Sequence, residues 1–262
     1  MSEPVYELTP GDAPLIISMP HSGTYVPADL VFRLTAAARD LPDTDWFVPQ
    51  LYECHAELGA TVLRATHARY VVDLNRPPDG APLYPGQWET GVCPAETFDG
   101  EPLYAAGDGP QAEEIAARLA AYWQPFHDRL AALIQEKLRR HGHCVLWDGH
   151  SIRSAVPALF EGRLPDLNIG TADGRSCCPA TCARVVRALD AQRRFSFVVN
   201  GRFKGGFITR RYGNPSAHVD AVQLEIAQAA YLTEARVPAF DAAEARPLRE
   251  LLPVLLRSVL AG

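Results

Sequence analysis

Two histidines stand in matching settings. Pro20-His21-Ser22-Gly23 follows the apolar run LIISM, and Asp148-Gly149-His150-Ser151 follows CVLW. A third polar cluster, Asp73-Leu74-Asn75-Arg76, ends RYVV. In an open α/β sheet ligands bind beyond the carboxyl ends of strands, so clusters in that position converge in space. Neutral imidazole binds zinc or a similar divalent ion, and a hydrolytic site keeps one position open for water, which makes His21 and His150 candidate metal ligands. For either histidine alone, a loop residue satisfied by backbone is the better reading; the repeated setting is what raises the pair. The third ligand should be a carboxylate or another histidine. Asp43-Thr44-Asp45-Trp46 supplies two carboxylates ahead of a helix-like VPQLYECHAEL, where an N-cap role competes for both.

Glu225 lies inside AVQLEIA, whose Val222, Leu224 and Ile226 predict a buried strand. A carboxylate there costs several kcal/mol unless it is paired, hydrogen-bonded or near a metal, so Glu225 is a candidate general base, with a structural ion pair as the rival. Arg69, Arg76, Arg202, Arg210 and Arg211 supply guanidinium groups, two of which can clamp a small dicarboxylate in a bidentate way. Spacing leaves open which of them point inward. Gly201, Gly205 and Gly206 in NGRFKGGFITRRYGNP suggest a sharp turn or a close approach to a ligand, and a plain hairpin explains them equally well.

The elements that must position these groups alternate. Strands are expected at 15–19, 61–63, 70–74, 144–147, 195–199 and 221–226, from short apolar runs rich in β-branched residues. A helix is expected over 111–140, where Ile115, Leu119, Tyr122, Phe126, Leu130, Leu133 and Leu138 recur at three- and four-residue steps. Gly142 should stop it and Pro125 kink it. Further helices are expected over 179–192 and, interrupted by prolines, over 242–260. The Pro- and Gly-dense stretch 76–110 reads as a long loop with a functional task.

Composition narrows the classes. The 262 residues, 47% hydrophobic and 21% charged, suit one α/β domain spanning 1–262 without a linker. A net charge of −6, with basic residues in pairs rather than stripes, argues against a nucleic-acid partner. The longest apolar runs, such as LLPVLL, fall short of a membrane span, and no secretory leader pattern opens the chain, so a soluble, cytoplasmic protein is expected. The six cysteines are scattered and should be reduced thiols; Cys177-Cys178-Pro-Ala-Thr-Cys182 lacks zinc-knuckle spacing.

With these residues laid out, the chain resembles the N-formylglutamate amidohydrolases (N-formylglutamate deformylases). The motifs run over most of the chain: PHSG at 20–23, DTDW at 43–46, DLNRP at 73–77, PFH at 125–127, DGHS at 148–151, GRFKGGFITRRYG at 201–213 and QLEI at 223–226. That family is similar to zinc carboxypeptidases and aspartoacylases. The resemblance implies a zinc-exopeptidase-like (phosphorylase/hydrolase-like) fold, a three-layer α/β/α sandwich with a mixed central sheet. It also implies metal-dependent hydrolysis of N-formyl-L-glutamate to formate and L-glutamate, in histidine degradation. The cofactor it implies is one divalent metal ion, zinc with cobalt as the alternative. The partner is then a small molecule, with the protein a monomer or small homo-oligomer.

The resemblance also implies individual roles. The RY…DxNR pattern of aspartoacylases is matched by Arg69-Tyr70…Asp73-Leu74-Asn75-Arg76, which makes Arg69 the carbonyl-polarising group and Asn75 with Arg76 the binders of the α-carboxylate. Glu225 matches their base. Their first metal motif, H-x-x-E, is broken here because Thr24 stands three after His21, so the carboxylate ligand comes from elsewhere, with Asp45 preferred over Asp43. An arginine from 202–211, Arg202 or Arg210, takes the side-chain carboxylate, and Arg211 replaces an expected His. The rivals are a deacylase or carboxypeptidase-like hydrolase of another N-acyl amino acid, and a non-catalytic binder of small acidic metabolites.

Overall fold

The structure, a computed structural model, describes residues 3–261. Seven strands form one mixed sheet: β1 Tyr6–Thr9, β2 Leu15–Met19, β3 Thr61–Ala65, β4 Cys144–Ile152, β5 Leu167–Gly170, β6 Phe197–Val199 and β7 Val219–Ala227, in spatial order β1-β3-β2-β4-β7-β5-β6. β3, β2, β4 and β7 run parallel, β1 and β5 join their neighbours antiparallel, and β6 runs parallel to β5. β2 and β4 are buried along their whole length and β3 and β7 at all but one residue each, the expectation for parallel strands covered on both faces, whereas edge strand β1 alternates half-buried and exposed residues.

The helices are α1 Ala28–Val31, α2 Ala36–Arg39, α3 Val48–Leu51, α4 Ala112–Arg118, α5 Gln124–His141, α6 Pro179–Asp190, α7 Phe207–Tyr212 and α8 Ala242–Leu260. The core divides by strand face. Leu15, Ile17, Trp147, Val222 and Leu224 meet Val185 and Leu189 of α6 and Leu248, Leu252 and Leu256 of α8. Ile16, Leu63, Leu146 and Ala221 instead meet Phe126, Leu130, Leu133 and Ile134 of α5. Each Val, Leu, Ile or Phe among them contributes about 1.5–3 kcal/mol on full burial, which fixes the sheet between its helices.

Four sequence expectations change. The helix over 111–140 is divided by a π-helical stretch, Leu119–Trp123, directly before Pro125, where the widened turn receives a residue without an N–H. α8 runs unbroken through Pro247 and Pro253, because the buried apolar face that includes Leu248, Leu251, Leu252, Leu255 and Leu256 outweighs the lost backbone bonds. β4 extends to Ile152, so His150 lies within a strand rather than beyond its end. The segment 70–74, read as a strand, is a buried turn. Its polar groups find partners outside any ladder: Arg118 Nη1 donates to the Val71 carbonyl at 3.2 Å, His127 Nε2 lies 2.8 Å from the Leu74 carbonyl, and Asp73 N donates to Val92 O at 2.7 Å.

β1 and β5 were not expected; both are four residues long, and β5 is flanked by a Pro- and Gly-rich stretch that reads as loop. All six cysteines are free, and Cys178 caps α6. No helix among the described residues is long and apolar enough to cross a membrane.

Candidate active site

The functional side chains gather where β2, β4 and β7 carry their polar ends. His21 lies two residues past β2, in a loop pressed so closely on the end of β3 that a Cβ at Gly23 would overlap the Thr66 and His67 backbone. The 43–46 segment is tied to that loop by Asp45 N donating to the His21 carbonyl at 3.1 Å. The turn after β7 holds it from the other side, Gln228 Nε2 donating to Thr44 O at 2.9 Å. His150 and Glu225 are register partners on the parallel pair β4 and β7, so their side chains leave the sheet side by side.

Atoms of His21, Asp45 and His150 capable of holding a metal lie within 4.8 Å of one another, and all three residues are buried. His21 Nε2 is 2.7 Å from Asp73 Oδ1 and His150 Nε2 is 3.1 Å from Asp148 Oδ2. Each ring has a carboxylate behind Nε2 and turns Nδ1 toward Asp45, the arrangement that orients imidazole ligands. Between the donors lie positive groups: Arg69 Nη2 donates to His21 Nδ1 at 2.6 Å and to Asp45 Oδ1 at 3.0 Å, and His150 Nδ1 is 2.9 Å from Asp45 Oδ2. Two imidazoles and a carboxylate at this spacing form a donor set suited to a divalent metal ion.

Asp43 lies apart from this set. Its Oδ2 accepts from Tyr70 Oη at 2.6 Å and Phe98 N at 2.9 Å, which joins the buried turn to the long loop.

The electrostatics follow from burial among charges. Burial lowers the pKa of His21, with the Arg69 charge acting in the same direction. Burial would do the same to His150, but Asp148 and Asp45 outweigh it and hold this imidazole well above its ordinary value. Asp45 and Asp73 are both held below the carboxylate range, because His and Arg partners overcome burial. Glu225 goes the other way: burial, reinforced by Asp45 and opposed by His150, pushes it up to about 8. Among the described residues, its carboxylate accepts one hydrogen bond, from Gln223 Nε2 at 3.0 Å.

The residues that line the pocket include His21, Arg69, Asn75, Arg76, His150, Arg202 and Glu225. Asn75 Oδ1 accepts from Ile208 N at 2.8 Å and its Nδ2 is 3.0 Å from His150 Nε2; Gly206 packs so tightly on this amide that no side chain fits there. Arg76 Nη1 pairs with Glu89 at 2.7 Å. Arg210 is outside the lining, donating to the Gly205 and Leu83 carbonyls at 2.8 Å each. Arg211 is exposed.

The chain is similar in sequence and fold to known proteins. A sequence profile described as N-formylglutamate amidohydrolase matches residues 13–232. The chain belongs to the N-formylglutamate amidohydrolase family. Two relatives named N-formylglutamate deformylase, from Pseudomonas aeruginosa and Pseudomonas putida, are 49% and 45% identical to it, each over 96% of this chain and 94% of its own. The crystal structure of an N-formylglutamate amidohydrolase from Ralstonia eutropha superposes with a TM-score of 0.82 at 25% identity, covering 97% of this chain and 96% of that one. An Agrobacterium tumefaciens protein shares the fold with a TM-score of 0.70 at 20% identity and the same coverage.

Beyond the residues singled out from sequence, the structure places Asp73 and Asp148 behind the histidines and Gln223 against Glu225. Phe98 lies 5.0 Å under the Arg69 guanidinium. Two of these were visible as spacing: Asp148 with His150, and Gln223 with Glu225, are two apart on one strand and therefore share its face.

Proposed function

We propose that the protein is a metal-dependent amidohydrolase acting on a linear amide, hydrolysing N-formyl-L-glutamate to formate and L-glutamate. The observation that carries it is the convergence of His21, Asp45 and His150 beside a protonatable Glu225, in a chain 45–49% identical to named deformylases over almost its full length. His21, Asp45 and His150 hold one divalent ion, zinc or alternatively cobalt. When bound, such an ion supplies a Lewis acid that acidifies water and polarises a carbonyl.

The remaining work falls to the chain's own residues. Glu225 takes the proton of the attacking water on its carboxylate and hands it to the leaving amine nitrogen. Arg69, held over Phe98, donates to the oxygen that becomes negative as the formyl carbon turns tetrahedral. Asn75 and Arg76 bind the α-carboxylate, which takes over the contact Arg76 makes with Glu89.

The same reading makes 1–262 a single domain with a three-layer, zinc-exopeptidase-like α/β/α architecture, cytoplasmic, working on a small molecule from histidine degradation as a monomer or small homo-oligomer. An assay of the metal-loaded protein on N-formyl-, N-acetyl- and N-formimino-L-glutamate, with metal content measured in parallel, tests it. Formate release from the formyl substrate at roughly one metal per chain is expected. Equal or better turnover of the acetyl compound, or full activity in metal-free protein, would refute it.

A further inference from the structure

Two pocket guanidiniums, Arg69 through Nε and Arg202 through Nη1, keep a buried donor without a hydrogen-bond partner, and of the two Arg69 is already engaged in ion pairs with Asp45 and Asp73. Arg202, between β6 and α7, gives its Nε–H to the Leu159 carbonyl at 2.6 Å and lies over the rings of Tyr84 and Phe203, 5.0 and 5.3 Å from their centroids. Its Nη1 is buried without a hydrogen-bond partner, and no ion pair among the described residues includes it. A buried charged donor without an acceptor is costly, and native structures keep such groups where something else supplies the acceptor. Burial, with the nearby Arg76 charge acting the same way, lowers its pKa from the ordinary arginine value, as expected of a cation short of counter-charge.

The neighbouring arginines have acceptors in the protein, and Arg69 and Arg76 already have tasks at the formyl oxygen and the α-carboxylate in the reading above. Arg76 is held by Glu89, Arg69 by Asp45 and His21, and Arg210 by two backbone carbonyls outside the pocket lining. Tyr84 ties Arg202 to the long loop, since its Oη accepts from Lys204 N at 3.1 Å. Leu159 and Phe203, which also line the pocket, give apolar surface next to the guanidinium, suited to the methylenes of an acidic side chain.

We propose that Arg202 is the specificity-determining residue of this pocket, receiving the side-chain carboxylate of an N-acyl dicarboxylic amino acid, while Arg210 serves the loop. This rests on the hydrolase reading above. The binding site for the second carboxylate is then built from residues 159 and 202–203 and is separate from Asn75 and Arg76.

The test compares Arg202→Met, Arg202→Lys and Arg210→Met, metal-loaded, on N-formyl-L-glutamate and its neutral analogue N-formyl-L-glutamine. With Arg202→Met, kcat/KM on the glutamate substrate should fall about 10²–10³-fold and on the glutamine analogue less than about threefold, because only the charged side chain loses its partner. Lysine keeps the charge without the planar fork and should lose about tenfold on the glutamate substrate. If Arg202→Met does not fold, the glutamate-to-glutamine ratio in Arg202→Lys decides. The inhibition constant of L-glutamate relative to L-glutamine gives the same comparison without turnover. Equal losses on both substrates, an unchanged ratio, or a selective loss in Arg210→Met instead would overturn the proposal alone. A wild-type protein inactive on N-formyl-L-glutamate would overturn it together with the reading beneath it.

Discussion

Glu225→Gln should make the protein more stable and nearly inactive. The wild-type carboxyl is pushed from 4.5 up to about 8 by burial beside Asp45. Between those pH values the folded chain keeps a proton that the unfolded chain has released, so stability falls as pH rises through the window. At ~1.4 kcal/mol per decade of acidity, the full window corresponds to about 5 kcal/mol. Because the charge interacts with His150 and Asp45, the gain from one replacement is smaller than the full window, on the order of 2 kcal/mol, within the range of couplings between contacting groups.

Glutamine keeps the shape and can still accept from Gln223 through its carbonyl oxygen. Urea unfolding of chelator-treated protein at pH 5 and pH 9 measures the gain. The variant should be close to wild type at the lower pH and ~2 kcal/mol more stable at the higher. The metal-loaded variant should retain its metal and lose about 10²–10⁴-fold in kcat, the usual worth of a general base. Equal stability at pH 9 would refute the burial argument, and full activity would refute the assignment of the base.

Asp148→Asn removes the carboxylate behind His150 and should weaken metal affinity about 10–100-fold in a chelator competition, with the fold intact by circular dichroism. A Cβ at Gly206 overlaps the Asn75 amide, so Gly206→Ala should lower kcat/KM at least about tenfold while changing thermal stability much less than that loss suggests. Arg118 is buried, with Nη1 donating to Val71 O and to Tyr104 Oη at 3.0 Å; Arg118→Met should destabilise the chain by about 2–4 kcal/mol in urea unfolding through the loss of the 70–74 turn.

The sheet's centre was legible because parallel strands buried on both faces read as near-continuous apolar runs, as LIISM and CVLW do, and as AVQLEIA does apart from Gln223 and Glu225. RYVV obeys it too and is no strand. Its hydrophobicity is set by burial, while its conformation is set by partners far along the chain, Arg118 and His127, which a local pattern does not contain. The proline-bearing helices mislead for a related reason: a proline's local cost is fixed, but the apolar face of α8 that offsets it is a tertiary quantity.

The site shows the same division. His21, His150 and Glu225 stood out because a polar residue at the end of, or inside, an apolar run needs a reason to be there. The arginines did not separate, since a guanidinium next to a pocket and one that staples a loop have the same neighbours in sequence. Arg202 and Arg210 lie eight positions apart in one glycine-rich segment and both reach Tyr84, yet one keeps a buried donor without a partner and the other gives its N–H groups to carbonyls. What distinguishes them is acceptor supply, and the acceptors, Leu83, Leu159 and Gly205 carbonyls, come from backbone whose path no side-chain pattern encodes. Specificity in this pocket therefore resides in which donors the fold leaves unsatisfied, a property of the folded chain as a whole.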